Sequence, residues 1–279
     1  MRRMSLISIL FVLFPAAVAA QDSLTLSADF KAGEVHRFEG KAVATVRAPD
    51  VAEQKTETQF AFEMKILSAT EEGFTLSGRL TRLSTSDGTL DYPDGTVPEA
   101  IRALLDGVGA LEYTYDRKWR LKKVGGFGQL LDPLLEGLPQ DARAELGVAV
   151  DRLVGPIFVA LQGGKKGNPL TQPFEKGSLT AGQTWKVPAR LPGFGKVEQS
   201  FEVVGIEARG ERRVANVKHV QELRPGPLAR LTGLTAQRTE GTMALLANGL
   251  PASARYTQEQ SLGGASVTTE IEIELKAGP

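Results

Sequence analysis

The chain has 279 residues, of which 42% are hydrophobic and 24% are charged, with 33 basic against 33 acidic side chains and no cysteine. This is the composition of a globular protein, so intrinsic disorder is not expected. The balanced charge argues against nucleic-acid binding, which requires a basic surface. The lack of cysteine excludes disulfides and thiolate chemistry.

The first 20 residues have the pattern of a signal peptide. Met1–Arg3 supplies the positive region, Ser5–Phe14 is a short apolar run, and Pro15–Ala20 supplies the small residues of a cleavage site. The apolar run is much shorter than the ~20 residues of a membrane span, and no later stretch is long and apolar enough to be one. A retained N-terminal anchor helix is the alternative interpretation. We predict an exported protein, periplasmic or extracellular, without a transmembrane segment after cleavage.

Alternation of apolar and polar residues is the dominant pattern of the remaining chain. The apolar members of three such runs are Phe60, Phe62, Met64, Ile66, Phe74, Leu76, Leu80, Val267, Ile271, Ile273 and Leu275. This alternation predicts antiparallel strands with one buried side. The strand candidates, about a dozen, are long enough that we expect the sheet to curl. Asn248-Gly249 predicts a type I′ hairpin turn between two of them.

Helical patterns occur in two places. Thr96 and Glu99 have capping-box spacing with Pro98 in the first turn, which predicts a short helix from Pro98 to about Asp106 that ends at Gly107. A second helical region, Phe127 to Leu161, carries an apolar stripe at three- and four-residue steps after a shorter apolar element. These apolar residues are Leu130, Leu131, Leu134, Leu135, Leu138, Leu146, Val150, Leu153, Ile157 and Leu161.

The two strand-rich stretches share three short matches in the same order, which suggests a diverged duplication. Residues 31–34 match 180–183, residues 59–66 match 199–206, and residues 111–115 match 254–258. We predict an α+β protein dominated by β-structure, in which two related antiparallel halves form a curved sheet or open barrel with a helical insert between them.

This interpretation divides the chain into four segments. Residues 1–20 are the signal peptide, 21–126 the first β-rich half, 127–167 the helical insert and linker, and 168–279 the second β-rich half. The β-rich halves form either one compact unit or two tightly packed ones.

The chain also resembles bacterial secreted β-rich proteins of unknown function. The residues that carry the resemblance are Ser84 to Gly88, Asp91-Tyr92, Leu104-Leu105, Gly109, Tyr113 to Tyr115, Val124-Gly125, and Leu179, Ala181, Gly182 and Trp185. The resemblance spans most of the mature chain and implies no activity or functional residues.

Two sets of side chains are candidates for metal binding. Asp87, Asp91 and Asp94 offer the oxygen ligands that Ca²⁺ prefers, but their spacing is not that of a calcium loop, and Asp-Gly sequences are ordinary turns. His36 and His219 form a zinc site with a carboxylate only if the fold brings the two halves together. Strand histidines without a metal are the commoner explanation.

The basic run Arg117–Lys123 is a candidate binding surface. As a strand, it would place Lys118, Arg120 and Lys122 on one face and Trp119 on the other, which suits lipid head groups or an anionic polymer. The alternative is a solvated edge strand whose lysines block further pairing.

The sequence carries no Gly-x-Ser-x-Gly, His-Glu-x-x-His or phosphate-loop motif, so we predict a non-catalytic protein without a cofactor. A hydrolase that uses a pair of carboxylates is the catalytic alternative, because acidic residues are plentiful and the sequence does not give their separation in space. Short apolar helices over a curved sheet can cover a cavity for a lipid or other apolar ligand. The predicted lining is Leu130, Leu134, Leu146, Val150, Leu153 and Ile157, facing Phe60, Phe62 and Phe74 across the sheet. The alternative is a structural or interaction component of the cell envelope with a protein partner, in which the helices only fill the core.

Overall fold

A computed structural model describes residues 23–95, 97–126, 168–191, 195–231 and 233–276. The predicted signal peptide and the predicted helical insert lie outside these residues. The described strands are β1 (Ser23–Thr25), β2 (Val35–Ala48), β3 (Val51–Ala69), β4 (Gly73–Thr85), β5 (Asp91–Tyr92), β6 (Glu112–Asp116), β7 (Leu121–Gly125), β8 (Ser178–Thr180), β9 (Thr184–Leu191), β10 (Gly195–Arg209), β11 (Arg212–Pro225), β12 (Leu234–Leu245), β13 (Pro251–Leu262) and β14 (Ala265–Lys276). The described helices are α1 (Glu99–Val108), α2 (Thr171–Lys176) and α3 (Pro227–Leu231).

Twelve of the strands form one antiparallel sheet. Its order is β7-β6-β4-β3-β2-β14-β13-β12-β11-β10-β9, with β5 paired to β4. The pairing of β2 with β14 joins the first half of the chain to the second. No ladder joins β7 to β9 among the described strands, so the sheet is open. The predicted β-dominated fold with long antiparallel strands is confirmed.

The sheet is strongly curved. Four strands (β4, β3, β2 and β14) separate the β6–β7 hairpin from the β12–β13 hairpin in the sheet order. Nevertheless, the Trp119 ring nitrogen of the first hairpin donates a hydrogen bond of 3.0 Å to the Asn248 carbonyl of the second. The sheet therefore bends around the face on which these two hairpins meet.

The hydrophobic core lies on that face, at one end of the strands. Leu24 and Phe30, from β1 and the segment after it, pack there with Phe174 of α2. They cover buried sheet residues of both halves, among them Ile66 of β3 and Val203 of β10, which are both fully buried. This layer between the two halves holds the curved sheet together.

Equivalent backbone hydrogen bonds relate the two halves. Gly33 donates to the Ile66 carbonyl at 2.8 Å, and Gly182 donates to the Val203 carbonyl at 2.8 Å. Both glycines have positive φ angles, 87° and 78°, which glycine adopts without steric cost. The match of 31–34 with 180–183 is thus structural as well as sequential.

These two turns define which residues of the first half correspond to which residues of the second, and this correspondence tests the other two sequence matches. Ile66 corresponds to Val203, so the second sequence match is displaced by two to three residues. The third match is wrong, because residues 111–115 lie around β6, which pairs with β4, whereas 254–258 lie in β13, two strands from β11.

Three local predictions need correction. Helix α1 begins at Glu99, with Pro98 as its N-cap residue, and continues through Gly107 to Val108. Glu99 is therefore the first helical residue rather than the third, which a capping box requires. The turn at Asn248-Gly249 is not type I′, because only Gly249 has a positive φ, 88°. There, Gly249 donates to the Leu246 carbonyl, and Leu246 to the Leu250 carbonyl.

The third correction concerns the basic run. Residues 117–120 form the turn between β6 and β7, and only Leu121–Lys123 belong to a strand, the edge strand β7. Trp119 sits in this turn with φ of 56°, a conformation uncommon for a residue other than glycine. Its ring is 6% exposed and contacts Phe30, Phe74 and Phe174, so tertiary packing stabilises the local conformation.

Two adjacent valines test where the core lies. Val203 is fully buried, whereas Val204 on the same strand is 63% exposed. We expect Val203→Ala to lower the free energy of unfolding by about 2 kcal/mol, because it removes buried methyl groups and leaves a cavity. Val204→Ala is the control and should change it by less than about 0.5 kcal/mol. Urea unfolding of both variants measures this; equal effects would contradict the assignment.

Candidate functional site

The large sheet has two chemically different faces. We call the face that carries the hydrophobic core the core face and the opposite one the charged face. In β9–β14, β2 and β3, register and alternation place a single charged side chain, Arg213 near the start of β11, on the core face among the described residues. The other charges of these strands lie on the charged face and form ion pairs such as Arg37–Glu63 at 2.7 Å and Lys186–Glu198 at 2.8 Å.

Side chains on the core face form rows across the strands. The apolar row, nearest the core, consists of Val203, Val217, Met243, Ala254, Ile273, Gly40 and Phe60. The central row consists of Trp185, Phe201, His219, Gly241, Tyr256, Ile271, Ala42 and Thr58. The neutral polar row consists of Gln199, Gln221, Thr239, Gln258, Thr269, Ala44 and Thr56. The three rows therefore become more polar with distance from the core, and none of their residues carries a formal charge.

Two glycines in these rows make room for aromatic rings. A Cβ atom at Gly40 would lie 2.3 Å from the Phe60 ring, and one at Gly241 would lie 2.6 Å from the Tyr256 ring. Each ring thus covers a glycine of the neighbouring strand, an arrangement that restores packing where a strand lacks a side chain. The rings form a half-buried, largely apolar surface in the middle of the sheet.

His219 lies in the middle of the central row. Its ring stacks on Phe201 at 4.5 Å and meets the edge of Tyr256 at 5.7 Å. It is 9% exposed, and neither ring nitrogen has a hydrogen-bond partner among the described residues. Burial lowers the pKa of His219 to about 4, so the imidazole is neutral at neutral pH. Burial also raises the pKa of the Tyr256 hydroxyl to about 12.

The predicted ligand-lining phenylalanines all lie on the core face. Phe60 and Phe62 are half-buried, and Phe62 stacks on Phe38 at 4.6 Å. Phe74 is 2% exposed and lies in the core beside Phe30 and Trp119. The other predicted lining residues, Leu130, Leu134, Leu146, Val150, Leu153 and Ile157, lie outside the described residues.

The acidic loop has the geometry of a turn. The Asp87 carboxylate accepts hydrogen bonds from the Thr89 amide at 3.1 Å and from its hydroxyl at 2.8 Å. The backbone carbonyl of Asp91, rather than its carboxylate, accepts a hydrogen bond of 2.8 Å from the Gly95 amide. Within the described ranges, no group of three His, Cys, Asp or Glu side chains is placed to hold a metal ion, Asp87, Asp91 and Asp94 included.

The two histidines do not meet. His36 lies on β2 and His219 on β11, with β14, β13 and β12 between them. The His36 ring packs against Phe30 and lies 3.5 Å from the Glu34 carboxylate. Burial lowers its pKa, although Glu34 acts in the opposite direction.

Much of the hydrogen bonding of the basic run is made within the protein. The Asp116 carboxylate accepts from the Lys118 and Arg120 amides at 2.9 and 3.0 Å and from the Arg120 guanidinium at 2.7 Å. Burial alone would raise the pKa of Asp116, but these hydrogen bonds hold it below its ordinary value. Arg117 donates to the Ala28 carbonyl at 2.6 Å. The run therefore stabilises the turn under the core.

Grooves also lie on the charged face. One, of about 940 Å³, is lined by Lys41, Glu57, Arg82, Arg255 and Glu272, together with further charged and polar residues and with members of the apolar row such as Phe60 and Met243. Lys41 and Glu57 are paired at 2.8 Å, and Arg255 and Glu272 at 3.2 Å. Because both signs are present and paired, this groove has no evident preference for an anion or a cation.

Comparison with known proteins gives loose structural likeness only. The sequence matches no protein-family model and no curated protein. A solved structure described as a "putative lipoprotein" from Parabacteroides distasonis is similar with a TM-score of 0.29 and 11% identity, over 88% of this chain and 96% of that one.

Two other solved structures are also similar. One is the attachment invasion locus protein Ail of Yersinia pestis, with a TM-score of 0.19 and 7% identity over 88% of this chain and 98% of that one. The other is a LolA superfamily protein of Nitrosomonas europaea, with a TM-score of 0.18 and 11% identity over 87% of each chain. At these TM-scores the likeness says nothing about what the chain binds. None of the described helices has the length and hydropathy needed to cross a membrane.

The burial of His219 should be visible in the pH dependence of stability. Its folded-state pKa, about 4, is lower than the ordinary value of 6.5, so the unfolded chain takes up a proton first as pH falls. The stabilising effect of the neutral ring is complete above pH 6.5 and is lost between 6.5 and 4. We expect this loss to be roughly 1–3 kcal/mol, and His219→Phe should remove it.

Urea unfolding at pH 7, 5.5 and 4 measures this difference. Lys218→Gln, an exposed neighbour on the charged face, is the control and should keep the wild-type dependence on the histidine. The same pH profile in wild type and His219→Phe would show that the ring does not titrate as its burial implies.

Proposed function

We propose that this chain is an exported, non-catalytic protein of the cell envelope that binds a lipid or another apolar ligand on the core face of its curved sheet. Export is supported by the signal-peptide pattern of residues 1–20, and the non-catalytic character by the absence of catalytic motifs from the sequence.

The observation that carries the proposal is the separation of charge between the faces of the sheet. A sheet that only needed a core would bury apolar residues beside its packing layer and could tolerate charges farther along both faces. Here the core face stays uncharged through the central and neutral polar rows, where side chains such as Tyr256 and Ile271 are only half-buried. Ligand sites for apolar molecules combine such apolar surface with a few neutral polar groups.

Native mass spectrometry of residues 21–279, purified from the exported fraction without detergent, tests the proposal directly. We expect the protein mass plus a discrete adduct of some hundreds of daltons that organic extraction removes, the ordinary size of a lipid. A clean protein mass, together with no uptake of added N-phenyl-1-naphthylamine, a neutral apolar probe, would contradict it.

A pair of substitutions tests which face binds. Ile271 lies on the core face opposite Ala42, and Val43, the next residue of β2, lies on the charged face between Glu57 and Glu270. Ile271→Lys should weaken probe binding at least about tenfold, because a lysine on the core face lacks an acidic partner and loses hydration. Val43→Lys gains acidic neighbours and should bind the probe as wild type does.

Circular dichroism and the urea midpoint show whether each variant is folded. Thr269→Lys, one row farther from the core, serves if Ile271→Lys is unstable. If a folded core-face variant binds the probe as tightly as Val43→Lys does, the core face is not the binding face.

A structural or protein-interaction role in the envelope is the second candidate. It is favoured by two exposed apolar side chains at the end of the strands away from the core, Val51 at 56% and Leu231 at 82% exposure. Val51 is the first residue of β3 and Leu231 the last of α3, and the β13–β14 turn lies between them at this end of the sheet. A protein mass without an adduct, together with no uptake of the probe, would favour this second role over ligand binding.

A further inference from the structure

His219 presents a chemical problem that the fold leaves open. A polar group that leaves water on folding ordinarily finds a hydrogen-bond partner inside the protein. This ring is nine-tenths buried between Phe201 and Tyr256, and neither of its nitrogens has such a partner among the described residues. The ring belongs to the central row of the core face, where the proposed ligand would lie.

We propose that His219 is the hydrogen-bonding anchor of a ligand site on the core face, and that its ligand is a neutral amphiphile with a hydroxyl group on an apolar body. This inference rests on the proposed function and adds the chemical class of the ligand and the side chain that recognises it.

The hydroxyl follows from the protonation state of the ring. A neutral imidazole has one N–H donor and one nitrogen acceptor. The low pKa of His219 keeps it in this state throughout the physiological range. A hydroxyl group both donates and accepts, so it can use either nitrogen, whereas an ether can only accept from the N–H.

A free carboxylate or phosphate suits the site poorly. The apolar, central and neutral polar rows around His219 contain no Lys or Arg, and Arg213, the core-face cation of β11, lies six residues along the strand from His219. An anion placed there would lose its hydration without gaining a cation, which is costly. The imidazole does not supply the missing charge, because it is neutral.

The neighbouring rows orient the ligand. On one side of His219 lie Gln221 and Thr239 of the neutral polar row, which suit further hydroxyl or ester groups of a head group. On the other side lie Val217 and Met243 of the apolar row, which suit the apolar body. Gly241, opposite His219, lets the Tyr256 ring reach the His219 ring in edge contact at 5.7 Å.

Three ligands of equal chain length separate these requirements: 1-dodecanol, its methyl ether and laurate. Each competes with N-phenyl-1-naphthylamine for residues 21–279 at pH 7.5. We expect the wild type to bind dodecanol about five- to tenfold more tightly than the ether, the effect of one neutral hydrogen bond, and laurate more weakly than either. His219→Phe keeps the aromatic stacking on Phe201 and should lose the preference for the alcohol while still binding the probe.

The control is His36→Phe, which alters the other histidine of the chain and should keep the wild-type preference. If His219→Phe does not fold, nitrogen-15 spectra of the wild-type histidine rings serve instead. Dodecanol should then shift the His219 signals and leave those of His36 in place. Probe binding without a preference for the alcohol, a preference for laurate, or no shift at His219 would overturn this inference alone. No probe binding by the wild type would overturn the proposed function with it.

Discussion

The pairing of β2 with β14 is the contact on which the rest of the sheet depends. It joins the first long strand to the last one over eleven residue pairs, from Arg47 opposite Ser266 to Arg37 opposite Lys276. At this seam, Glu272 lies opposite Lys41, which pairs with Glu57 of β3 at 2.8 Å. Glu39 and Glu274 also lie opposite each other, and Lys276 bridges them at 3.4 and 2.8 Å. A slip of one residue would turn these charges toward the core, so the register and the separation of charge specify each other.

The alternation of apolar and polar residues predicts the strands, whose two faces differ in charge. It does not predict the turns, whose conformation depends on contacts between hairpins that are far apart in the sheet order. The strands around Phe60 and Ile271 follow from period two alone, because less exposed apolar residues alternate with exposed charged ones along much of their length. The turn at Trp119 does not follow, because its left-handed backbone is stabilised by Phe30, Phe74 and Phe174, which are distant in sequence. Gly249 is similar: a Cβ there would lie 2.9 Å from the Trp119 ring, so the close approach of another hairpin determines the turn. Local sequence contains neither contact.

The candidate site shows the same division. The position of Phe60 and Phe62 on the core face is predictable from alternation, but the role of His219 is not, since its surroundings come from three other strands. One signal was nevertheless present in the sequence. From Lys218 to Arg224 of β11, the charged residues Lys218, Glu222 and Arg224 share one parity, while His219, Gln221 and Leu223 share the other. Repeated in the neighbouring strands, this pattern distinguishes neutral polar residues that face inward from charged residues that face water.

The neutral polar row is the feature that distinguishes the proposed binding face from a simple core. Glutamine and threonine at Gln199, Gln221, Thr239 and Gln258 bury less apolar area than valine or isoleucine would at the same half-buried positions, so they add little to stability. Charged residues would be equally compatible with solvent and occur freely on the opposite face. Only uncharged hydrogen-bonding groups both tolerate an apolar molecule nearby and recognise a polar group on it. In the proposed function, the gradient from Val217 through His219 to Gln221 on a single strand would therefore fix the orientation of an amphiphilic ligand as well as its position.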